Sequence, residues 1–298
     1  VEIYRLVAYE LDMARASVLV WLVLAATAAA GGLYAYWSKR VAVDKSVSPL
    51  PPRAPVRAWE KWLTATVLAM LILCCLLPLA AVWFKAAAAG SSWAVLLEAQ
   101  TWAAAWNTIR FSAAAVAAAT VLGVLYAAAA RQMAWLRALM FLPFMVSPVC
   151  IAFGVLLLYP QWTASLWLLT ATYALLAYPF VAKDVLAAWD GLPKDYAAAA
   201  RTMGANGFQT ACYVTAPLLK PALRRGLTLA SATCIGEFAA TLFLSRPEWQ
   251  TLTTLIYDYL GRAGADNYGR AMVLTAVLTA LALAAFLLVD EAEGQKAV

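Results

Sequence analysis

Long apolar stretches dominate this chain and constrain its fold more than any other feature. A helix that crosses the ~30 Å hydrocarbon core of a bilayer needs roughly 20 mainly apolar residues. About seven such stretches can be marked, most of them bounded by charge or proline: 14–37, 62–84, 106–130, 135–159, 164–182, 222–245 and 268–289. The sequence therefore predicts an all-α, polytopic membrane protein with about seven transmembrane helices.

Composition excludes several other classes of protein. The chain is 65% hydrophobic and only 13% charged, with a mean hydropathy of +0.76, whereas about a quarter of the residues in soluble domains are charged. It has no histidine, and its five cysteines show no metal-ligand spacing. We therefore expect no metal site and no disulfide framework. The net charge of +6 is interpreted as a signal of membrane orientation rather than of a nucleic-acid partner.

Basic residues are concentrated in two connecting segments, 38–61 and 183–225. Two connections on the other side, residues 86–105 and 160–163, contain no Lys or Arg, whereas the last outer connection contains Arg246 and Arg262. Positively charged loops stay on the cytoplasmic side of a membrane. The pattern predicts that both basic segments and the C-terminus face the cytoplasm, and that the protein crosses the membrane several times in contact with lipid.

The first and last parts of the chain resemble each other. Ile3-Tyr4 precedes Ala14-Arg15-Ala16 and an apolar helix, as Ile256-Tyr257 precedes Gly269-Arg270-Ala271 and another. This repetition predicts two homologous halves, although two apolar helices can also resemble each other by chance. We expect residues 1–37 to be the outer loop and last helix of a missing first half, which would be a partner. Residues 38–59 would be a proline-rich linker, 60–290 a six-helix core and 291–298 a cytoplasmic tail.

The segment 183–225 is too long for a simple connection between membrane helices. Leu192-Pro193-Lys194-Asp195 is typical of a helix start, and the alanine run up to Arg201 has high helix propensity. Gly204 is suited to end that helix in a left-handed conformation, with a short helix after Asn206-Gly207. The segment thus predicts a helix-turn-helix on the cytoplasmic face that binds a partner. The alternative is an amphipathic helix that rests on lipid headgroups.

One acid lies near the middle of a predicted span. Glu237 falls within 222–245, where a charged side chain costs about 2.5 kcal/mol or more and is usually functional. It is a candidate for the translocation pathway, together with Ser147, Ser231 and Thr241. The alternative is a structural carboxyl satisfied by neighbouring helices. Pro143 and Pro148 are expected to break the span 135–159.

The spacing within the cytoplasmic segment is specific. Ala198-Ala199-Ala200 is followed after three residues by Gly204, and after nine more by Val214, Thr215 and Ala216-Pro217. This register resembles the loop by which permeases of type I ABC importers dock onto their ATPases. In that family the loop reads Glu-Ala-Ala, three residues, Gly, nine residues, Ile, one residue, Leu-Pro. Here Ala198 stands where the family has Glu, and Asp195, one helical turn earlier, is a possible substitute.

The resemblance covers the chain from about residue 60, and Ile235-Gly236-Glu237-Phe238 is similar to the fused thiamine and ferric-iron permeases. It implies an import pathway in the bacterial inner membrane for a solute that is delivered by a periplasmic binding protein. Import would be driven by a pair of ABC ATP-binding subunits. The resemblance also implies an ATPase-docking loop made of the following residues: Asp195, Ala198, Ala199, Ala200, Arg201, Gly204, Val214 and Pro217. The chain has no Gly-x-x-x-x-Gly-Lys-Ser/Thr loop, so ATP and Mg²⁺ are expected on a partner and no cofactor in this chain.

Two other functions are possible from the sequence. A non-transporting membrane scaffold or sensor would keep the docking loop without transport. An intramembrane enzyme would use Glu237 or Asp184, but the chain lacks histidine and a Gly-x-Ser-x-Gly elbow. We therefore expect a permease without enzymatic activity of its own.

Overall fold

A computed structural model of the chain describes residues 5, 6, 12, 14–26, 29, 57–140, 142–162 and 165–290. These residues form helices and turns, and no strand occurs among them, which confirms the all-α prediction. The α-helices are α1 (Ala14–Ala26), α2 (Ala58–Ala87), α3 (Ala99–Gln132), α4 (Ala134–Leu139), α5 (Leu142–Met145), α6 (Pro148–Leu158), α7 (Leu166–Gly191), α8 (Lys194–Thr202), α9 (Gly207–Thr210), α10 (Ala216–Ile235), α11 (Ala239–Leu244), α12 (Leu252–Gly261) and α13 (Ala265–Asp290). The predicted tail and most of the predicted linker lie outside the described residues.

Four of the described helices are long and apolar enough to cross a membrane by length and composition: α2, α3, α7 and α13. Helices α1 and α6 are apolar but shorter. The other two predicted spans, 135–159 and 222–245, are each divided into shorter helices. The molecule is thus a polytopic membrane protein whose spans are partly interrupted.

The interruption of 135–159 follows its prolines. Pro143 lies in the four-residue helix α5, and Pro148 is the first residue of α6. Proline has no N–H for the helical ladder, so it is best accommodated in the first turn of a helix. The predicted break at these prolines is confirmed.

The interruption of 222–245 was not predicted. Helix α10 ends at Ile235 and α11 begins at Ala239, with Glu237 between them. The Glu237 carboxylate accepts a hydrogen bond from the Ala240 N–H at 3.0 Å. Its own carbonyl accepts bonds from the Tyr173 hydroxyl at 3.3 Å and the Thr253 hydroxyl at 3.0 Å. These side chains satisfy backbone groups that the broken helix would otherwise leave without partners in the membrane.

The connection between α7 and α10 is shorter than the predicted segment 183–225. Helix α7 continues to Gly191, with Val185 and Leu186 buried, and α10 already begins at Ala216. Charged residues marked the predicted ends, but charge at the end of an apolar stretch does not stop a helix. The connection between these two long helices is therefore residues 192–215, and we call it the docking segment.

Helix α7 forms the centre of the bundle and packs most closely against α3 and α10. Gly123 of α3 and Gly226 of α10 both face Val181 of α7. A Cβ at either glycine would come within 2.7 Å of a Val181 atom, the side-chain Cβ for Gly123 and the backbone Cα for Gly226. Small residues at such contacts let membrane helices approach closely.

A second cluster lies at the end of the bundle away from the docking segment. Its buried members include Val95, Leu252, Leu255 and Leu274. Beside it Arg270 pairs with Glu98 at 2.6 Å and with Asp266 at 2.8 Å. This polar cluster ties the beginnings of α3 and α13 together.

Two helices are peripheral to this core. Helix α1 contacts α6 through a small cluster of Leu6, Ala16 and Phe153. In the most apolar 18-residue stretch of helix α2, no residue is buried within the described structure. Its apolar surface therefore faces lipid or another polypeptide.

Candidate docking segment and transport pathway

The docking segment begins with α8, and its turn is built around Gly204. The Ala205 N–H donates to the Ala200 carbonyl and the Gly204 N–H to the Arg201 carbonyl, both at 3.0 Å. Gly204 has φ 87°, the left-handed conformation that ends helices in this pattern of hydrogen bonds. A Cβ at Gly204 would meet nothing within 4 Å. Glycine is therefore favoured here by its backbone conformation and not by lack of space.

The second part of the turn is held by a reciprocal cap. The Gln209 N–H donates to Asn206 Oδ1 at 2.8 Å, and the Asn206 N–H donates to Gln209 Oε1 at 2.9 Å. This capping box starts α9. A π-helical stretch, Ala211–Thr215, then leads into α10. The predicted helix-turn-helix is present in the structure.

The alanines of α8 differ in exposure. Ala198 and Ala199 are exposed, as are Asp195 and Arg201, whereas Ala200 is only 4% exposed. Ala200 thus faces the protein, and the others are available to a partner. Asp195 and Ala198 are three residues apart, a spacing that puts two side chains on one side of a helix.

Large apolar side chains are also exposed on this segment. Met203 is 82% exposed, Phe208 77% and Tyr213 79%. An open groove of about 420 Å³ lies between α8 and the start of α10, and it is lined among others by Ala199, Ala200, Val214 and Pro217. An exposed apolar patch marks a surface that contacts either a partner protein or a membrane. The sequence pattern located the backbone turn but gave no signal for these three side chains.

Two arginines hold the ends of α3 and α4 against the end of α7, beneath the segment. The guanidinium of Arg131, at the end of α3, lies 5.1 Å from the Trp189 ring centre. Arg137 forms two hydrogen bonds with the Asp190 carboxylate, at 2.7 and 3.1 Å. Arg131, Trp189, Tyr196 and Val214 line one recess beneath α8. The ends of α3 and α7 therefore lie together under the docking segment.

The pathway candidates fall into separate places. Glu237 is 8% exposed, and Thr241 is buried on α11. They are linked through Tyr173, whose hydroxyl contacts Thr241 Oγ1 and donates to the Glu237 carbonyl. Glu237 therefore lies at a helix break and caps the next helix. The pathway role of Glu237 and the structural alternative both stay predictions.

Ser147 and Ser231 lie elsewhere. Ser147 precedes α6, and its carbonyl accepts the Ile151 N–H at 3.1 Å. Ser231 lines an apolar groove between α3, α10 and α13. No hydrogen bond joins either serine to Glu237 or Thr241 within the described ranges. The structure thus brings two of the four candidates together.

A polar recess at the opposite end of the bundle was not predicted. It has a volume of about 460 Å³ and lies between α3, α11 and α12, with Thr241 in its wall. Nearby, burial raises the pKa of the Tyr259 phenol, whose hydroxyl donates to Glu98 Oε2 at 3.0 Å. The residues of the recess are scattered between positions 100 and 258, so no local spacing could reveal it.

Metal chemistry has no support in the described structure. No group of three or more His, Cys, Asp or Glu side chains that could hold a metal occurs among the residues described. Cys74, Cys75 and Cys212 are exposed, while Cys150 and Cys234 are buried. That the chain binds no cofactor stays a prediction.

Comparison with known proteins identifies the family. Residues 115–290 match the family described as binding-protein-dependent transport system inner membrane component. A putative 2-aminoethylphosphonate transport system permease protein, PhnV, of Salmonella typhimurium is 29% identical over 203 residues, which are 65% of this chain and 72% of PhnV. The sulfate transport system permease protein CysT of Escherichia coli is 32% identical over 164 residues, 50% of this chain and 58% of CysT.

A third relative is the molybdenum transport system permease protein ModB of Haemophilus influenzae. It is 30% identical over 111 residues, 36% of this chain and 48% of ModB. The match to the family covers more than half of the chain and includes α7, the docking segment and α13. This chain belongs to the binding-protein-dependent transport system inner membrane components, the multi-pass permeases of ABC importers, which are non-enzymatic subunits.

Proposed function

We propose that this permease imports a small solute by binding an ABC ATP-binding subunit through the docking segment. The observation that carries the proposal is the solvent-exposed surface of Met203, Phe208 and Tyr213 beside a turn with the family register. Exposing such side chains to water is unfavourable, and burying them against a partner recovers that free energy. Asp195 and Arg201 add one charge of each sign to the same surface. The solute would reach the permease from a periplasmic binding protein.

The contacts around the segment suit the transmission of movement. Arg131 and Arg137 join α3 and α4 to the end of α7. Helix α7 leads directly into the segment and lies at the centre of the bundle. A displacement of α8 by ATP binding on the partner would therefore move α7 as a rigid element. ATP and Mg²⁺ would stay on that partner.

The proposed orientation is supported by the charge pattern. Arg131, Arg137 and Arg201 lie at the docking end, and an excess of basic residues marks the cytoplasmic side. The docking segment and the C-terminus would face the cytoplasm, and the polar recess would face the periplasm. Helix α2, with its exposed apolar surface, would pack against a second permease half.

The solute class is supported by the relatives. Their names refer to 2-aminoethylphosphonate, sulfate and molybdenum transport, which favours a small oxyanion. Thiamine and ferric iron, suggested by the residues around Glu237, remain the alternatives to test. The pathway would pass Thr241, with Glu237 supporting the helix break behind it.

Copurification tests the docking surface. The permease is extracted with its ATP-binding subunit and compared with Phe208→Asp and Met203→Asp, which place charge in the proposed interface. Leu97→Asp is the matched control, because Leu97 is 87% exposed on the Gly90–Leu97 turn, at the other end of the bundle. We expect the docking variants to lose most of the ATP-binding subunit and the control to retain it.

Uptake into proteoliposomes then tests transport. Sulfate, molybdate, 2-aminoethylphosphonate, thiamine and ferric iron are supplied with the binding protein, with and without ATP. ATP-dependent uptake of an oxyanion supports the proposal. An ATP-binding subunit that is retained while none of these solutes is imported would favour the scaffold or sensor function instead.

A further inference from the structure

The polar recess carries opposite charges on its walls. Arg246 lies in the turn after α11, and Asp258 lies on α12. Among the described residues neither side chain takes part in an ion pair, although both line the same space. A cation and a carboxylate that share a recess without pairing are both available to a ligand.

Each charge is held in place by its neighbours. The Arg246 guanidinium lies 5.6 Å from the Trp249 ring centre, a contact that restricts its orientation. On the other wall the Gln250 amide donates to the Asp258 carboxylate, and Gln100 donates to Gln250 Oε1 at 2.8 Å. The side-chain amides of Gln100 and Gln250 therefore position the Asp258 carboxylate without neutralising its charge.

The volume of the recess suits a small solute. It is about 460 Å³, within the ~300–1,000 Å³ typical of ligand sites. Thr241 in its wall is bonded to Tyr173, which donates to the Glu237 carbonyl at the helix break. The recess therefore adjoins the interrupted span that the proposed pathway follows.

These charges discriminate between solutes. A simple oxyanion would gain a charge-assisted contact with Arg246 but would be repelled by the like charge of Asp258. A simple cation would be attracted by Asp258 but repelled by Arg246. A molecule that carries an oxyanion and an ammonium group would satisfy both walls. Arginine suits the oxyanion because its fork of N–H donors binds such groups through two hydrogen bonds.

We propose that the recess between Arg246 and Asp258 binds a small zwitterion, with the oxyanion on Arg246 and the ammonium group on Asp258. This inference rests on the proposed function, since a recess on the outer face meets solute only if the chain is an importer. It restricts the proposed solutes from small oxyanions in general to aminoalkyl oxyanions. The oxyanion group would bind Arg246, and the ammonium group would bind Asp258. Sulfate and molybdate, which carry no ammonium group, would bind more weakly.

Direct binding to the complete complex in lipid nanodiscs tests the assignment. Phosphorus NMR line broadening gives dissociation constants for two probes, 2-aminoethylphosphonate and ethylphosphonate, which differ in the ammonium group. We expect the native complex to prefer 2-aminoethylphosphonate by about tenfold, the size of one charge-assisted hydrogen bond. Asp258→Asn should abolish that preference, and Arg246→Gln should weaken both probes about tenfold.

Glu248→Gln is the matched control, because Glu248 is an exposed carboxylate close to Arg246 in sequence but outside the recess. It should leave the preference unchanged. Equal binding of the two probes to the native complex, no binding of either, or a preference that survives Asp258→Asn would overturn the assignment. If the same preparation retains the ATP-binding subunit and hydrolyses ATP in response to the binding protein, the proposed function stands although the assignment fails.

Discussion

Gly204 is the residue on which the shape of the docking segment depends most directly. Its φ of 87° is readily adopted by glycine and tolerated by asparagine, but it is a severe outlier for a β-branched residue. Gly204→Val is therefore expected to disrupt the turn and to abolish copurification of the ATP-binding subunit. Gly204→Asn should retain it.

The pair of variants separates conformation from size. A Cβ at this position meets nothing within 4 Å, so a difference between valine and asparagine is expected to come from the left-handed φ and not from crowding at Cβ. Equal retention of the ATP-binding subunit by both variants would show that the left-handed turn is not needed for docking.

Glu237 is expected to act as a cap of α11. Glu237→Gln keeps a side-chain oxygen for the Ala240 N–H, whereas Glu237→Ala removes it, at a cost of about 1 kcal/mol for a lost helix cap. The thermal midpoint in detergent should fall for the alanine variant and stay near native for the glutamine variant, with import unchanged in the latter. If Glu237→Gln instead lost most of its import activity while its thermal midpoint stayed native, the charge of Glu237 would be needed for solute transport.

At single positions the sequence was informative where backbone conformation is local. Gly204 and Asn206 were predicted because glycine and asparagine have distinctive roles at helix ends. The partners of Glu237 were not predictable, since Tyr173 and Thr253 approach it from other helices. For the same reason the sequence could not choose between a structural and a transport role.

The contact of α7 with α10 gives a prediction at the scale of elements. Gly226→Ala would place a Cβ 2.7 Å from the Val181 backbone, so the helices must separate, which typically costs about 1–3 kcal/mol. Gly154→Ala in α6 is the control, because its Cβ would meet nothing within 4 Å. We expect the thermal midpoint to fall for Gly226→Ala only.

Both substitutions replace a glycine within a helix by alanine, and both therefore gain the same helix propensity. The difference between their midpoints reports the close contact alone. A midpoint of Gly226→Ala equal to or above that of Gly154→Ala would contradict the packing described for Val181.

Helical elements were predicted well where they are uniformly apolar. The stretches 62–84, 106–130 and 268–289 correspond to α2, α3 and α13. The division at Pro143 and Pro148 was anticipated because proline breaks the helical ladder. The division at Gly236–Phe238 was not, because hydropathy does not report hydrogen bonds between helices.

At the scale of the whole molecule the two ends of the bundle differ in chemistry. One end presents the docking segment with exposed apolar side chains, and the other presents the polar recess and the Arg270–Glu98 cluster. The sequence predicted the membrane class and the docking segment, but it could not assemble the recess from distant residues. The interrupted spans lie between the two ends and would connect a solute site to an ATPase site.

Coupling through the docking segment is tested most directly by ATP hydrolysis of the complete complex in nanodiscs, with and without its loaded binding protein. We expect the binding protein to stimulate hydrolysis severalfold in the native complex and in Gly204→Asn, and we expect Gly204→Val to abolish the stimulation. Hydrolysis that ignores the binding protein, or a response that Gly204→Val leaves intact, would contradict coupling through the docking segment.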